Sequence, residues 1–276
     1  MTSPVAAVAG NEAPVALPGR VVVVTGGCRG IGAGIAVRFL EAGAEVVVCC
    51  RHEPESLPSV GTGAGARTAS FVAADVRDPD SIDAVIAATL ERYGRFDVLV
   101  NNAGGSPPAD TATSSPRFSE AIISLNLTAP LVFSQRAFAV MREQADGGAI
   151  VNIASVSGLR PSPETAAYGA AKAGLLNLTE TLAVEFAPKV RVNAVTAGLV
   201  VTEQAHLFYG DAEGIAAVGA TIPLGRRAEP VDIADVCVFL ASPLARYVTG
   251  ANVLVHGGGE LPAYMAAARN TSERNP

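Results

Sequence analysis

Tryptophan is absent from this 276-residue chain, and histidine (three), cysteine (four) and lysine (Lys172 and Lys189 alone) are scarce. The cysteines, at positions 28, 49, 50 and 237, and the scattered histidines offer no zinc-ligand spacing and no disulfide framework. All four cysteines read as small buried residues, with Cys49 and Cys50 pointing to opposite faces of a strand. A reducing cytoplasm is the expected compartment. Charged residues are only 17% of the chain, the net charge is −6 and no basic run occurs, which argues against a nucleic-acid partner. No apolar run reaches the roughly 18 residues that cross a bilayer, and the N-terminus lacks the charged start of a secretory signal, so no membrane partner is expected. No metal site is expected either. What the chain has in quantity is hydrophobic residues, 49%, and 28 glycines. Its length suits one large domain with a sizeable core.

Residues 1–19, rich in Ala, Val and Pro, read as a flexible leader, residues 20–262 as one domain, and residues 263–276 as a loose tail. Short continuous apolar runs at Val21–Val24, Ala44–Cys50, Val72–Ala74, Asp97–Asn101, Ala149–Ala154, Val190–Thr196 and Asn252–Val255 read as strands buried on both faces. Helical patterns lie between them: Ile31–Ala42, Asp80–Tyr93, a long Phe118–Gln144 with Pro130 as a kink, Thr165–Ala187 and Val231–Ala241. Strand and helix alternate throughout. The expected fold is α/β: a Rossmann-like doubly wound parallel sheet of about seven strands, three-layered, with helices on both faces.

Three stretches carry chemistry. Val21–Val24 runs into Thr25-Gly-Gly-Cys-Arg-Gly-Ile-Gly32 and then a helix, the arrangement in which glycines admit a pyrophosphate to a helix N-terminus. Asn101-Asn-Ala-Gly104 closes the fourth strand, which lies beside the first at the topological switch, where ligands bind in such sheets. Tyr168 and Lys172, four apart, share a helical face. A free tyrosine titrates near ~10, too high for proton transfer at neutral pH, and a cation one turn away favours the phenolate.

Together with Ser155 at a strand end, these motifs resemble the short-chain dehydrogenase/reductase family, in its compact single-domain branch with Thr-Gly-x-x-x-Gly-x-Gly, over about Arg20 to Glu260. The resemblance implies a catalytic set. Tyr168 would be the general acid/base, Lys172 would lower its pKa and hold the nicotinamide ribose, and Ser155 would donate to the substrate carbonyl oxygen. Asn126, by itself a helix-packing amide, would organise a proton-relay water. For the cofactor it implies Gly26, Cys28, Arg29, Gly30, Ile31 and Gly32 of the loop, Arg51, Asp75 and Val76 at the adenine side, and Asn102, Ala103 and Gly104. Tyr168, Lys172, Gly198, Val200 and Thr202 complete the set at the nicotinamide. One departure is Ala197 before Gly198, where the family has proline; losing the fixed φ is expected to loosen that turn.

The expected reaction interconverts a carbonyl compound and a secondary alcohol, with hydride carried by NADP(H), or by NAD(H). No carboxylate ends Val46–Cys50 to accept from a ribose 2′-OH, while Arg29 and Arg51 stand where guanidinium groups would bind a 2′-phosphate. The alternative is that both arginines are solvated and either cofactor serves. The small-molecule substrate is expected to be apolar, walled by Leu199, Val200, Val201, Leu207, Phe208, Ile215 and Val218; His206 reads better as an exposed loop residue than as a substrate contact. Two rival readings are a cofactor-binding regulatory protein that has lost its chemistry and a carbon–carbon double-bond reductase, whose relatives space Tyr and Lys more widely. The resemblance also implies a homotetramer, built through the long helices around Asn126 and Tyr168 and through the C-terminal part.

Overall fold

Val21–Thr25 forms the first strand, β1, with every residue buried. A strand alternates its side chains between two faces, and an apolar run without polar interruptions therefore needs cover on both sides. The computed structural model, which describes residues 15–203 and 211–262, supplies that cover. Its seven-stranded sheet is built from β1, β2 (Glu45–Cys50), β5 (Ser70–Ala73), β6 (Val98–Asn101), β7 (Gly148–Ser155), β8 (Val190–Ala197) and β9 (Asn252–Val255). The order is β5-β2-β1-β6-β7-β8-β9, with every pairing parallel. A two-stranded antiparallel hairpin, β3 (Ser59–Val60) with β4 (Arg67–Thr68), stands apart from it.

Alternate residues of each strand feed two cores. Val22, Val24, Val46, Val48, Val98 and Val100 pack with α1 (Gly30–Glu41) and α7 (Pro230–Ala241) on one face. Val23, Val47, Leu99, Ile150 and Val192 pack on the other with α2 (Pro79–Tyr93), α4 (Ala129–Met141) and α5 (Ala166–Glu185). The remaining helices are α3 (Pro116–Ile123) and α6 (Ala212–Ala220). Chain order reverses between β1 and β6, so the carboxyl ends of these two strands open the crevice in which such sheets bind ligands.

Several expectations need correction. The helix read over Phe118–Gln144 is two helices, α3 and α4, joined by a π-helical turn at Ser124–Thr128. The interruption precedes Pro130, which lies in the first turn of α4 and needs no helical N–H partner there. The third sheet strand runs Ser70–Ala73 rather than Val72–Ala74. The hairpin and α6 were not read from the sequence at all. Leu17, assigned by sequence to the leader, is buried, and its N–H donates to the Ala42 carbonyl at 2.6 Å. Cys28 and Cys50 are neither free nor fully buried: they form a disulfide. Cys49 and Cys237 are buried thiols as expected. Among the described residues no helix is long and apolar enough to cross a membrane, and no cluster of His, Cys, Asp and Glu could hold a metal ion.

Candidate active site

The glycine loop is fixed from both sides. Gly26 N–H donates to the Cys49 carbonyl at 2.8 Å, tying the loop to the end of β2. Thr25 ties it to the end of β6: its Oγ1 accepts from the Asn102 and Ala103 backbone N–H groups, each at 2.9 Å, and donates to the Val100 carbonyl at 3.3 Å. The Asn102 side-chain amide returns a hydrogen bond to the Thr25 carbonyl at 2.9 Å. The loop and the Asn-Asn-Ala-Gly stretch are thus one hydrogen-bonded unit across the switch point.

Within that unit Gly26 and Gly30 take positive φ, +62° and +53°, and a Cβ on Gly32 would lie 2.5 Å from Asn102 Nδ2, so the backbone comes closer than side chains would allow. Helix α1 begins at Gly30 with no side-chain cap from Arg29 and no acidic residue in its first turn. Its own first turn brings no carboxylate to these N–H groups, the setting that favours a phosphate, although Glu203 Oε2 reaches to 3.6 Å from where a Cβ on Gly30 would stand. These residues fit a dinucleotide pyrophosphate.

Arg29 and Arg51, expected to meet the adenosine ribose, are exposed. Among the described residues neither Glu53 nor Glu55 forms an ion pair with Arg51. Asp75 accepts from Arg77 through Nε at 2.9 Å and through the backbone N–H at 3.0 Å. Those bonds outweigh desolvation and, with the Arg77 and Arg51 charges, hold its carboxyl down at about 2. Val76 beside it is buried.

At the other end of the crevice the four residues singled out as a catalytic set lie on one connected shell. Asn126, fully buried in the π-helical turn, accepts from Gly105 N–H at 2.9 Å and donates to the Gly105 and Ile122 carbonyls. A Cβ on Gly104 would lie 2.6 Å from Asn126 Oδ1 and 3.3 Å from Lys172 Nζ, so the bare glycine makes room for both. Lys172 is 3% exposed and donates to the Ile153 carbonyl at 2.7 Å, two residues before Ser155 on β7. Burial pushes its ammonium down to about 8. Its Nζ stands 5.7 Å from the centre of the half-buried Tyr168 ring. Ser155 ends β7, and its Oγ accepts from Ser157 N–H at 3.2 Å. The tight turn Val156–Gly158 that follows rests on α5: a Cβ on Gly158 would meet the Lys172 backbone at 2.8 Å, and one on Gly169 would meet the Ser157 carbonyl at 2.9 Å.

Sequence reasoning missed the polar layer beneath this shell. Asn101 Nδ2 donates to Asn152 Oδ1 at 2.9 Å and to Ser134 Oγ at 3.1 Å; Asn152 Nδ2 donates to Thr179 Oγ1 at 2.9 Å. All four are buried, and each donation meets an acceptor, as buried polar groups require. Thr25 was missed as well, although its place between an apolar strand and the first loop glycine was a usable signal.

The segment after β8, expected to take the nicotinamide, is hydrogen-bonded to its neighbours with Ala197 in place of proline. Ala197 stays in register with Ser155 and Val255 as the last residue of β8. Gly198 N–H donates to the Val255 carbonyl at 2.9 Å, and Val200 is buried, bridging Ala228. Thr202 Cγ2 would lie 3.6 Å from a Cβ on Gly30, so this segment reaches the glycine loop. Of the expected pocket wall, Leu199, Ile215 and Val218 are half-buried and Val201 is exposed; His206, Leu207 and Phe208 lie outside the described residues.

A family profile described as enoyl-(acyl carrier protein) reductase matches residues 26–260. L-rhamnose 1-dehydrogenase (NAD(P)(+)) of Azotobacter vinelandii is 37% identical over 87% of this chain and 96% of its own length. 3beta-hydroxysteroid dehydrogenase 1 of Eggerthella lenta is 36% identical, over 88% and 94% respectively. The ligand-free aldohexose dehydrogenase structure of Thermoplasma acidophilum superposes with a TM-score of 0.79 at 32% identity, covering 87% of this chain and 93% of that one. The chain therefore belongs to the short-chain dehydrogenase/reductase family and is an NAD(P)-dependent oxidoreductase.

Proposed function

We propose that the protein interconverts a carbonyl compound and a secondary alcohol with NADP(H), on a small and largely apolar substrate, using Tyr168 as general acid/base. The observation that carries this reading is the Tyr168–Lys172 pair, with the buried ammonium 5.7 Å from the ring centre. A cation there lowers the cost of the phenolate, so Tyr168 gives its proton to a forming alkoxide or takes one from an alcohol near neutral pH. The nicotinamide, when bound, supplies or accepts the hydride.

The remaining roles follow from what each side chain already does. Ser155 Oγ accepts from Ser157 N–H, which leaves its hydroxyl hydrogen to donate to the substrate oxygen. Asn126 spends its amide on Gly105 and Ile122, and so holds the wide helical turn and the Asn-Asn-Ala-Gly stretch in place, where it organises a relay water. Gly26, Cys28, Arg29, Gly30, Ile31 and Gly32 take the pyrophosphate and the adenosine ribose. Arg51, Asp75 and Val76 take the adenine end, and Asn102, Ala103 and Gly104 line the crevice. Gly198, Val200 and Thr202 take the carboxamide end. Val201, Ile215 and Val218 support an apolar substrate wall.

The description of the matching family profile favours a second reading, reduction of a carbon–carbon double bond. The four-residue Tyr168–Lys172 spacing argues against it. A turnover screen over ketones, secondary alcohols and enones, with both cofactors, decides between them. Ketone or alcohol turnover is expected, and Tyr168→Phe is expected to lower it by about 10²–10⁴ while dinucleotide binding survives. Exclusive enone turnover, or a Phe variant with full activity, would refute the proposal.

A further inference from the structure

The disulfide lies where the reading above puts the adenosine ribose. Cys28 is the loop residue before Arg29, and Cys50 is the last residue of β2, the position at which a ribose-binding carboxylate would stand. The two are 22 residues apart in sequence, with Cα atoms 6.6 Å apart, a separation that a disulfide spans. Both are half-buried, so a small thiol or disulfide in solution reaches them. Arg29, Arg51 and the N-terminal end of α1 put positive charge around the pair, the setting in which a thiolate attacks. Competing thiol chemistry is absent from the described residues. Cys49 and Cys237 are fully buried, and burial pushes both thiols up, Cys49 to about 12, which keeps them protonated and inert.

We propose that Cys28 and Cys50 form a reversible dithiol/disulfide couple that sets the affinity of this site for the adenosine end of the dinucleotide, the reduced form binding more tightly. The proposal rests on the assignment of the glycine loop as the dinucleotide site. The chemistry is thiol–disulfide exchange with a low-molecular-weight disulfide. One protein thiolate attacks it, expels one small thiol and forms a mixed disulfide; the second protein thiolate then displaces the other small thiol. Two protein thiols and one small disulfide become one protein disulfide and two small thiols, a two-electron oxidation of the protein with the protons carried off on the released thiols. A small dithiol reverses it.

The direction follows from what the bond changes. It adds little to the rigidity of the loop, because Gly26 N–H already bonds the Cys49 carbonyl at 2.8 Å and Gly27 already packs on Val48. What it changes is the surface offered to the ribose. In the disulfide neither sulfur carries a hydrogen, and the bridge joins loop to strand across the ribose position. Cys50 Sγ lies 3.1 Å from the His52 carbonyl in the disulfide-bonded structure, so once reduced its thiol has an acceptor within reach. The Cys28 thiol is then free to turn toward a ribose hydroxyl or a 2′-phosphate, and the mouth between loop and strand is no longer bridged.

The test uses the full chain without substrate. Protein equilibrated with glutathione disulfide or with dithiothreitol is alkylated and weighed; two of the four thiols are expected to be protected by the oxidant and recovered by the reductant. Each form is then titrated by calorimetry with adenosine 2′,5′-bisphosphate and with NADPH and NADH. A roughly three- to tenfold tighter dissociation constant is expected for the reduced form, about the worth of one neutral hydrogen bond. In the double variant Cys28→Ser with Cys50→Ser the affinity is expected not to respond to either reagent. No oxidant-protected pair, or equal or tighter binding by the oxidised form, overturns the coupling while leaving the cofactor site intact. Binding in neither form overturns the cofactor reading, and the coupling with it.

Discussion

Gly104 and Asn126 are in contact across the crevice, so close that a methyl group on the glycine would lie 2.6 Å from the amide oxygen. The same methyl would lie 3.3 Å from Lys172 Nζ, so one backbone position limits two members of the proposed catalytic set. Gly104→Ala is expected to displace the Asn126 amide or the Lys172 ammonium, lowering kcat at least tenfold and costing about 1–3 kcal/mol of stability, as overpacking does. Gly219→Ala in α6, where a Cβ meets nothing within 4 Å, is the control and should keep wild-type activity. Steady-state kinetics and urea denaturation on both variants measure this; a Gly104→Ala enzyme with wild-type kcat would contradict it.

Lys172 ties the site to stability through pH. Burial depresses its folded-state value to about 8, below the ~10.4 of an unfolded lysine. Between those values the unfolded chain binds the extra proton, so stability rises with pH across that window, and below about pH 8 the cost of the buried charge is complete and constant. Lys172→Met removes this dependence. Wild type is expected to gain roughly 2–3 kcal/mol relative to Lys172→Met between pH 7 and 10. Urea denaturation of the cofactor-free proteins at both pH values reads it, the other titrating groups cancelling in the difference. Parallel pH curves would mean that the ammonium is not buried in solution.

The sheet was legible because its strands are unbroken apolar runs that need cover on both faces, and the crevice was legible because the glycines interrupt those runs at the switch point. The π turn at Ser124–Thr128 was not, since one extra residue in a turn hardly disturbs a helical pattern, and Asn126 shows its place only through its bonds to Gly105 and Ile122. Helix α6 was hidden for a related reason: Ile215 and Val218, three apart, suit a helix face and a pocket wall equally well. Strand alternation correctly put Cys49 and Cys50 on opposite faces. It was silent on which loop Cys50 would meet, because that depends on the parallel pairing of β1 with β2. The hairpin strands, two residues each, are too short to carry any period.

Assembly is expected to be tetrameric. Tyr247 is wholly exposed at 101%, and Val184, Leu244, Leu254 and Phe239 are exposed apolar residues from α5, α7, β9 and the turn beyond α7. β9 also ends the sheet with an unpaired edge among the described residues. Exposed apolar side chains on both sheet faces, with a free strand edge, are features that a like copy covers. Light scattering on the purified protein should give four chains' mass, and Tyr247→Glu with Leu244→Glu should dissociate it to smaller species. A wild-type monomer would refute the expectation.

Cofactor choice turns on charge at the end of β2. Cys50 ends that strand in place of a carboxylate, so nothing there would repel a 2′-phosphate or bond a bare 2′-hydroxyl. Arg51 follows, exposed and without an ion pair to Glu53 or Glu55 among the described residues, and Arg29 stands exposed at the start of α1. The nearby Asp75 carboxylate is held by Arg77, which offsets its charge. Two exposed guanidinium groups, neither hydrogen-bonded to a carboxylate among the described residues, suit paired, charge-assisted bonds to a phosphate. If one such contact is worth ~1.5–3 kcal/mol, kcat/KM should favour NADP(H) by roughly tenfold or more. Arg51→Ala should erase most of that preference by weakening NADP(H) use while leaving NAD(H) use nearly unchanged. The measurement is kcat/KM with each cofactor, in wild type and variant, on protein kept reduced so that the Cys28–Cys50 pair does not contribute. A wild type that favours NAD(H), or a variant with undiminished NADP(H) efficiency, would remove the arginines from the account.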